Sequence, residues 1–152
     1  MGSNMSAQTE IIFDASNLIL GRMATVAAKH LLQGHNVVIL NSERAIISGS
    51  RRSRTREAKE RLNIGHPRKG PFWPRQPDRY VKRVIRGMLP RQSPKGKEAY
   101  KRLRVFIGVP PDYKGNPTRT IAEAKAERLR CATITVGDLV REIGWHPTGK
   151  GE

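Results

Sequence analysis

Arginine and lysine are the residues of this chain whose number and spacing carry chemistry. Residues 51–104 hold nineteen Lys or Arg and only four Asp or Glu, whereas the other 98 residues hold ten bases and nine acids. A merely solvated surface is the weaker interpretation, because such surfaces normally mix both signs. Arg outnumbers Lys nineteen to ten, and guanidinium groups bind phosphate with two donors and stack on bases. The pattern predicts a polyphosphate-binding surface whose partner is RNA or DNA, not a membrane.

Two aromatic residues interrupt the basic run, in a segment rich in proline and glycine. Phe72 and Trp73 lie between Arg68, Lys69 and Arg75 in the sequence GHPRKGPFWPRQPDR. A segment of this composition buries little of its own backbone, and a long loop of this kind is functional or disordered. We expect it to become ordered against its partner. The two rings either stack on RNA bases or anchor the loop to the protein core.

Residues for catalysis or metal binding do not form a recognisable set. The four histidines are scattered, and the acids are too sparse to nominate a carboxylate pair. The sequence 144–150 resembles a phosphate loop, but Gly151 stands where Ser or Thr would hold Mg²⁺. The single cysteine, Cys131, excludes a disulfide framework and a cysteine zinc site. We therefore expect no enzyme activity, cofactor, metal or small-molecule substrate; the alternative of a nucleotide-dependent α/β enzyme requires NTP binding.

Length and composition predict one folded domain. The chain has 152 residues, is 37% hydrophobic and carries a net charge of +16, which leaves enough apolar residues for a core. No stretch approaches the length of a membrane span, and no signal peptide is recognisable, so we expect a cytosolic protein. We assign residues 1–10 to a flexible extension, 11–146 to the domain, with 51–104 as its basic region, and 147–152 to a flexible tail.

The sequence predicts a strand, a helix and a second strand as the first elements along the chain. Residues 11–15 and 36–40 are short apolar runs, and apolar residues between 18 and 32 recur at spacings of three and four. Gly34 is a natural end for this helix. Such a βαβ unit implies parallel strands with a right-handed crossover. The architecture should therefore be α/β.

Two further strands are expected in the second half of the chain. Residues 103–107 and 132–136 are the candidate segments, each bounded by polar or turn-forming residues. Thr135, with Asp138 three residues later, predicts the N-cap of a short last helix.

A second helix is predicted within the basic region, over residues 78–88 with Asp78 as its cap. One face of it is apolar and consists of Val81, Val84, Ile85 and Met88. The opposite arc is basic and consists of Arg79, Lys82, Arg83 and Arg86. A solvated helix face would more often include glutamates at i, i+4 spacing, so we interpret this arc as a ridge that contacts a phosphate backbone.

Four segments occur in an order that is typical of one protein family. DASNLILGRMATVAAKHLL precedes NSERAIISG, VKRVIRGMLP and KGKEAYKRLRVFIG, and in this the chain resembles the L-thirteen family of large-subunit ribosomal proteins from about Ile11 to Trp145. The most specific motif is RGMLP at residues 86–90, followed by Gly96 and Leu103. The stretches FWPRQPDRYVKR, GVPPDY and LVREIGW resemble the archaeal and eukaryotic branch. The first ten residues match nothing in the family.

The resemblance implies a three-layer α/β/α domain around a four-stranded parallel sheet, with a long basic loop and helix insertion. It also implies a non-catalytic protein of cytoplasmic ribosomes that binds large-subunit ribosomal RNA, supports subunit assembly and contacts neighbouring large-subunit proteins. A non-ribosomal nucleic-acid chaperone or DNA-binding protein is the main alternative, since phosphate contacts carry no sequence information. The expected RNA-binding residues are Arg51, Arg52, Arg54, Arg56, His66, Arg68, Lys69, Phe72, Trp73, Arg75, Arg79, Lys82, Arg83, Arg86, Arg91, Lys95, Lys97, Lys101 and Arg102.

Overall fold

The computed structural model describes residues 9–147 and has five β-strands and five α-helices in that range. The strands are β1 (Glu10–Asp14), β2 (Asn36–Leu40), β3 (Ile46–Ser48), β4 (Leu103–Val105) and β5 (Thr133–Thr135). The helices are α1 (Leu20–Leu32), α2 (Arg51–Leu62), α3 (Pro77–Gly87), α4 (Pro94–Lys101) and α5 (Val136–Glu142). This mixed α/β architecture confirms the predicted class. Most of the predicted N-terminal extension and all but residue 147 of the predicted tail lie outside the described residues.

A parallel sheet of three strands, in the order β1-β2-β4, forms the centre of the domain. Side chains alternate between the two faces of a strand. Val37 and Ile39 of β2 therefore enter the main hydrophobic core, on the face that the helices cover. Val38 and Leu40 enter a second, smaller core on the other face, together with Ile12 of β1. Both faces of β2 are buried along residues 37–40, and these four residues are all apolar.

The prediction of a four-stranded parallel sheet is wrong in strand number. The segment expected as the fourth strand forms β5, which pairs antiparallel with β3 in a separate two-stranded ribbon. In β5 only Ile134 is buried, and the flanking threonines are not. This pattern fits a ribbon with one solvent-exposed face better than the centre of a parallel sheet. The outer edge of β1 is met instead by one residue, Arg119, whose backbone N–H donates to the Ile12 carbonyl at 2.7 Å.

The structure does not confirm a three-layer arrangement. Helices α1, α3, α4 and α5 all contribute to the main core. The second core contains Ile12, Val38 and Leu40, covered by Phe106 and Tyr113, whose ring centroids lie 5.4 Å apart. Within residues 9–147, no α-helical residue belongs to this second core. Loop residues after β4 therefore cover the face where a second helical layer was expected.

The first helix follows the prediction closely. Its buried residues are Leu20, Met23, Ala24, Ala27, Ala28 and Leu31, the apolar set at spacings of three and four. The helix ends before Gly34, which adopts a φ of 97° that only glycine accepts without strain. At the other end of the chain, the Thr135 hydroxyl accepts the Asp138 backbone N–H at 3.1 Å, which confirms the predicted N-cap of α5.

The basic region is more helical than its proline and glycine content suggests, and only residues 63–76 form a long irregular loop between helices. Serine N-caps explain the two helices that were not predicted: Ser50 accepts the Ser53 N–H before α2, and Ser93 accepts the Gly96 N–H before α4, both at 3.2 Å. Helix α3 was predicted, but it begins at Pro77, so Asp78 lies in its first turn and is not its cap. Along the described part of the chain, no helix is long and apolar enough to cross a membrane.

Candidate nucleic-acid interface

Helix α3 holds the predicted basic ridge because its other face is anchored in the core. Val81 and Ile85 are fully buried, and α3 packs on α1 and β4. Of the ridge residues, Arg79 is exposed, whereas Lys82, Arg83 and Arg86 are half-buried. The ridge is therefore fixed in position by the packing of the helix that carries it.

Trp73 connects the irregular loop to two helices. The guanidinium carbon of Arg83 lies 4.0 Å from the Trp73 ring centroid, and that of Arg61 lies 5.1 Å away. Both distances are within the range of cation–π attraction. Trp73 is half-buried by these contacts and belongs to neither hydrophobic core. Phe72 is 68% exposed, so the alternative in which it anchors the loop to the core is wrong.

An open groove of about 500 Å³ surrounds Trp73. Arginines from three segments meet there with no acidic residue in the lining. The residues that define this Trp73 groove are Arg61, Trp73, Tyr80, Arg83, Arg86 and Arg91. A hollow beside it shares Trp73, Arg83 and Arg86 and adds further predicted site residues. These additions are Phe72, Arg75, Arg79 and Lys82. Tyr100 also lines the hollow, and the Lys82 ammonium lies 5.0 Å from the centroid of its ring.

The electrostatics of the Trp73 groove show crowding of like charge. Burial, and then repulsion from the other arginines of the groove, lowers the pKa of Arg83. Burial also raises the pKa of Tyr80, so its hydroxyl remains neutral and available as a hydrogen-bond donor. A phosphate in the groove would relieve the repulsion and accept hydrogen bonds from these groups.

The arginines of α2 divide into anchored and free groups. Arg51 forms an ion pair with Glu142 of α5. Arg54 donates to the Ser48 carbonyl at 2.7 Å and pairs with Glu57 at 3.1 Å. Arg52 and Arg56 are exposed and, among the described residues, pair with no acid.

Arg102 differs from the other predicted site residues because it serves the fold. Its side chain is half-buried and donates to the Leu31 carbonyl at the end of α1, at 2.6 Å. The same carbonyl accepts the Gly34 N–H at 3.2 Å, so the guanidinium adds a second donor at the end of the helix.

The remaining predicted residues lie on exposed surface. Lys95, Lys97 and Lys101 are exposed on α4, and Arg68 and Lys69 are exposed in the irregular loop. In that loop the Nδ1 atom of His66 accepts the Arg68 N–H at 3.1 Å, which holds a local turn and leaves the histidine ring exposed.

Three residues of the Trp73 groove and of the hollow beside it were not among the predicted ones. Arg61 lies in the basic region, but only the folded arrangement of α2 and the irregular loop brings it over Trp73. Tyr80 and Tyr100 were overlooked because helical periodicity alone does not show that their rings face arginine or lysine. The sequence signal that was available for them is aromatic residues interleaved with bases, the same signal that singled out Trp73.

Comparison with known proteins identifies the family. The family model described as "Ribosomal protein L13" matches residues 8–112. The chain belongs to the ribosomal protein L13 family. It is 42% identical over 142 residues to the "Large ribosomal subunit protein uL13" of Methanopyrus kandleri, covering 91% of this chain and 89% of that protein. The proteins of the same name from Archaeoglobus fulgidus and Methanosarcina barkeri are 40% and 42% identical over 88% of this chain, covering 87% and 96% of their own lengths.

These relatives confirm the resemblance that was seen in the sequence, including its archaeal character. Members of the L13 family are structural components of the ribosome, so the family assignment also confirms that the chain is not an enzyme. The RGMLP motif ends α3 and turns into α4. A Cβ on Gly96 would lie 1.9 Å from the Pro90 carbonyl oxygen, which explains why this turn requires glycine.

Proposed function

We propose that this L13-family chain binds large-subunit ribosomal RNA through the Arg-rich surface and thereby supports assembly of the large ribosomal subunit. The observation that carries the proposal is the Trp73 groove, where four arginines surround an aromatic ring and no acid lines the walls. A site that accumulates unpaired guanidinium groups is suited to a polyphosphate.

The mechanism follows from the chemistry of the groove. Release of counterions from RNA phosphates supplies most of the affinity, and the fixed spacing of cations along α3 reads the shape of an A-form backbone rather than a base sequence. Phe72, exposed beside the groove, offers a face on which an unpaired base stacks. The nineteen predicted site residues remain our proposal for the contact surface, with Arg102 acting through the fold.

We place the protein in the cytoplasm on ribosomes, with ribosomal RNA and neighbouring large-subunit proteins as partners. Residues 11–146 act as one domain in this role, and residues 51–104 supply its RNA-binding region. The excess of positive charge in that region is neutralised only when the RNA is bound.

A charge-removal experiment tests the proposal. In the variant Arg83→Gln/Arg86→Gln/Arg91→Gln, the dependence of log K on log salt for transcribed large-subunit RNA should become shallower by about 2 to 3, because each lost phosphate contact removes about 0.7 to 0.9. The matched control, Arg119→Gln/Arg128→Gln/Arg130→Gln, removes the same charge from exposed positions outside residues 51–104. Its slope should change much less.

Equal slopes for the two variants would remove the Trp73 groove from the interface. Sedimentation on sucrose gradients separates the ribosomal role from that of a free nucleic-acid chaperone. The chain should travel with large subunits after a moderate salt wash, and a chain that remains at the top of the gradient would contradict the ribosomal assignment.

A further inference from the structure

Helix α2 is unusual because it is polar on almost every side. It carries six Lys or Arg and two Glu in twelve residues, and Ala58 is its only buried residue. A helix of this kind gains little from the core, and such helices either bridge other bodies or depend on charge pairs along their own surface. It is held at its N-terminal end by the Ser50 cap and by the bond from Arg54 to the Ser48 carbonyl, and along its length by contact with α5.

The basic residues of α2 form two stripes on opposite flanks. At 3.6 residues per turn, Arg52, Arg56 and Lys59 cluster on one flank, and Arg54 and Arg61 cluster roughly 180° away. We name these the outer and the inner flank. The buried stripe at Ala58 runs between them. The side chains of the outer flank are exposed, whereas on the inner flank Arg61 is exposed and Arg54 is half-buried.

The inner flank belongs to the Trp73 groove, because Arg61 lines that groove and lies over the Trp73 ring. The outer flank lines a different groove, of about 710 Å³, with no residue in common with the first. Its remaining walls include Arg51, Glu60, Asn63 and Glu142. Glu142 pairs with Arg51 and also interacts electrostatically with Lys59. The groove therefore has four bases, Arg51, Arg52, Arg56 and Lys59, against two acids.

Like charges lie close together along the outer flank. Arg52 and Arg56 are spaced i, i+4, and Arg56 and Lys59 are spaced i, i+3, and like charges at these spacings repel each other. All three side chains are exposed. An anion bound along this flank would relieve the repulsion, and the flank shares no residue with the lining of the Trp73 groove.

We infer that the outer flank is a second polyphosphate site and that α2 lies between two separate RNA segments, so that one protein molecule bridges them. This inference rests on the proposed RNA binding and adds to it a second, independent contact. A bridging helix holds two RNA segments at a fixed distance, which is a direct physical means of supporting the assembly of a folded ribonucleoprotein.

Bridging is tested with two hairpins transcribed from large-subunit RNA, one immobilised on beads and one fluorescent. The full-length chain should retain the fluorescent hairpin on the beads, in a complex of one protein and two RNAs by mass measurement. The outer-flank variant Arg52→Gln/Arg56→Gln/Lys59→Gln should still bind a single hairpin. The amount of fluorescent hairpin that it retains on the beads should fall at least about tenfold. Glutamine forms helix about as well as these residues, and circular dichroism checks that α2 is intact.

The groove variant Arg83→Gln/Arg86→Gln/Arg91→Gln should also lose bridging, whereas the control Arg119→Gln/Arg128→Gln/Arg130→Gln should keep it. Retention equal to wild type by the outer-flank variant would overturn the inference, as would a complex that contains two protein molecules. A wild-type chain that binds one hairpin and never two would overturn it while leaving the proposed function intact. Failure to bind even one hairpin would instead contradict the proposed function.

Discussion

Helices α2 and α3 are both basic, yet the structure uses them differently. Helix α3 has four Lys or Arg and one acid, and it buries Val81 and Ile85 completely. Helix α2 has six Lys or Arg and two acids, and it buries only Ala58. The positive charge of each helix indicates what it binds, whereas the spacing of its apolar residues decides whether it is fixed to the core.

This difference has a consequence for how each helix meets RNA. One face of α3 is occupied by protein, so only its ridge remains for an RNA segment. The outer flank of α2 and Arg61 on its inner flank are exposed, so in the proposed complex α2 offers two surfaces. In the proposed complex, bound RNA would supply part of the stabilising contacts that α2 does not obtain from the core.

The largest effect that separates the two helices is expected on stability. Ile85→Ala should lower the free energy of unfolding by about 2 to 5 kcal/mol, because it leaves a cavity in the core. Leu62→Ala removes a side chain of α2 that is only partly buried, so its loss should be clearly smaller. Denaturant unfolding followed by circular dichroism measures both, and equal losses would show that α2 is anchored as firmly as α3.

A smaller effect concerns the turn that attaches α4 to α3. Gly96→Ala places a methyl group 1.9 Å from the Pro90 carbonyl oxygen, and overpacking of this kind costs about 1 to 3 kcal/mol. Gly87→Ala is the matched control, since a Cβ there meets no atom within 4 Å, and it should be neutral or stabilising by up to about 1 kcal/mol. Similar denaturant midpoints for the two variants would mean that the turn is not tightly packed.

The smallest expected effect is a change in the stability of the free protein when Arg52 of α2 is replaced by an acid. Arg52→Glu places an acid in the first turn of the helix and creates an i, i+4 pair with Arg56. These two changes should each stabilise the free protein by a few tenths of a kcal/mol, about 0.3 to 1 in favourable cases. Thermal unfolding at low salt should show a slightly higher midpoint. The same variant should bridge two RNA hairpins less well, and a lower midpoint would contradict the repulsion described on the outer flank.

Much of the framework follows from local sequence pattern. The βαβ unit of β1, α1 and β2, the helix α3 and the cap of α5 were all predicted, because each depends on apolar spacing or on a capping side chain. Helix α2 was not predicted, since its exposed basic residues give no periodic apolar signal. The serine cap at Ser50, followed by good helix formers, was the signal present in the sequence.

The sheet and the groove depend on contacts between distant segments. Residues 133–135 are a strand in both the prediction and the structure, but their pairing with β3 in a separate ribbon, and not within the parallel sheet, depends on long-range contacts. Likewise, the sequence shows Trp73 among bases, but not that Arg61 and Arg83 approach its ring from two different helices.

The sequence by itself determined that positive charge is concentrated in residues 51–104 and that the motifs there are those of a ribosomal protein family, because charge and motif are properties of the linear chain. Only the tertiary structure decided which of those charges face each other. It separated Arg102, which closes α1, from the arginines that crowd the Trp73 groove, and it divided the charges of α2 between two grooves. The physical reason is that electrostatic repulsion and apolar burial act through space, so side chains far apart in sequence share one site only when the packed core brings their helices together.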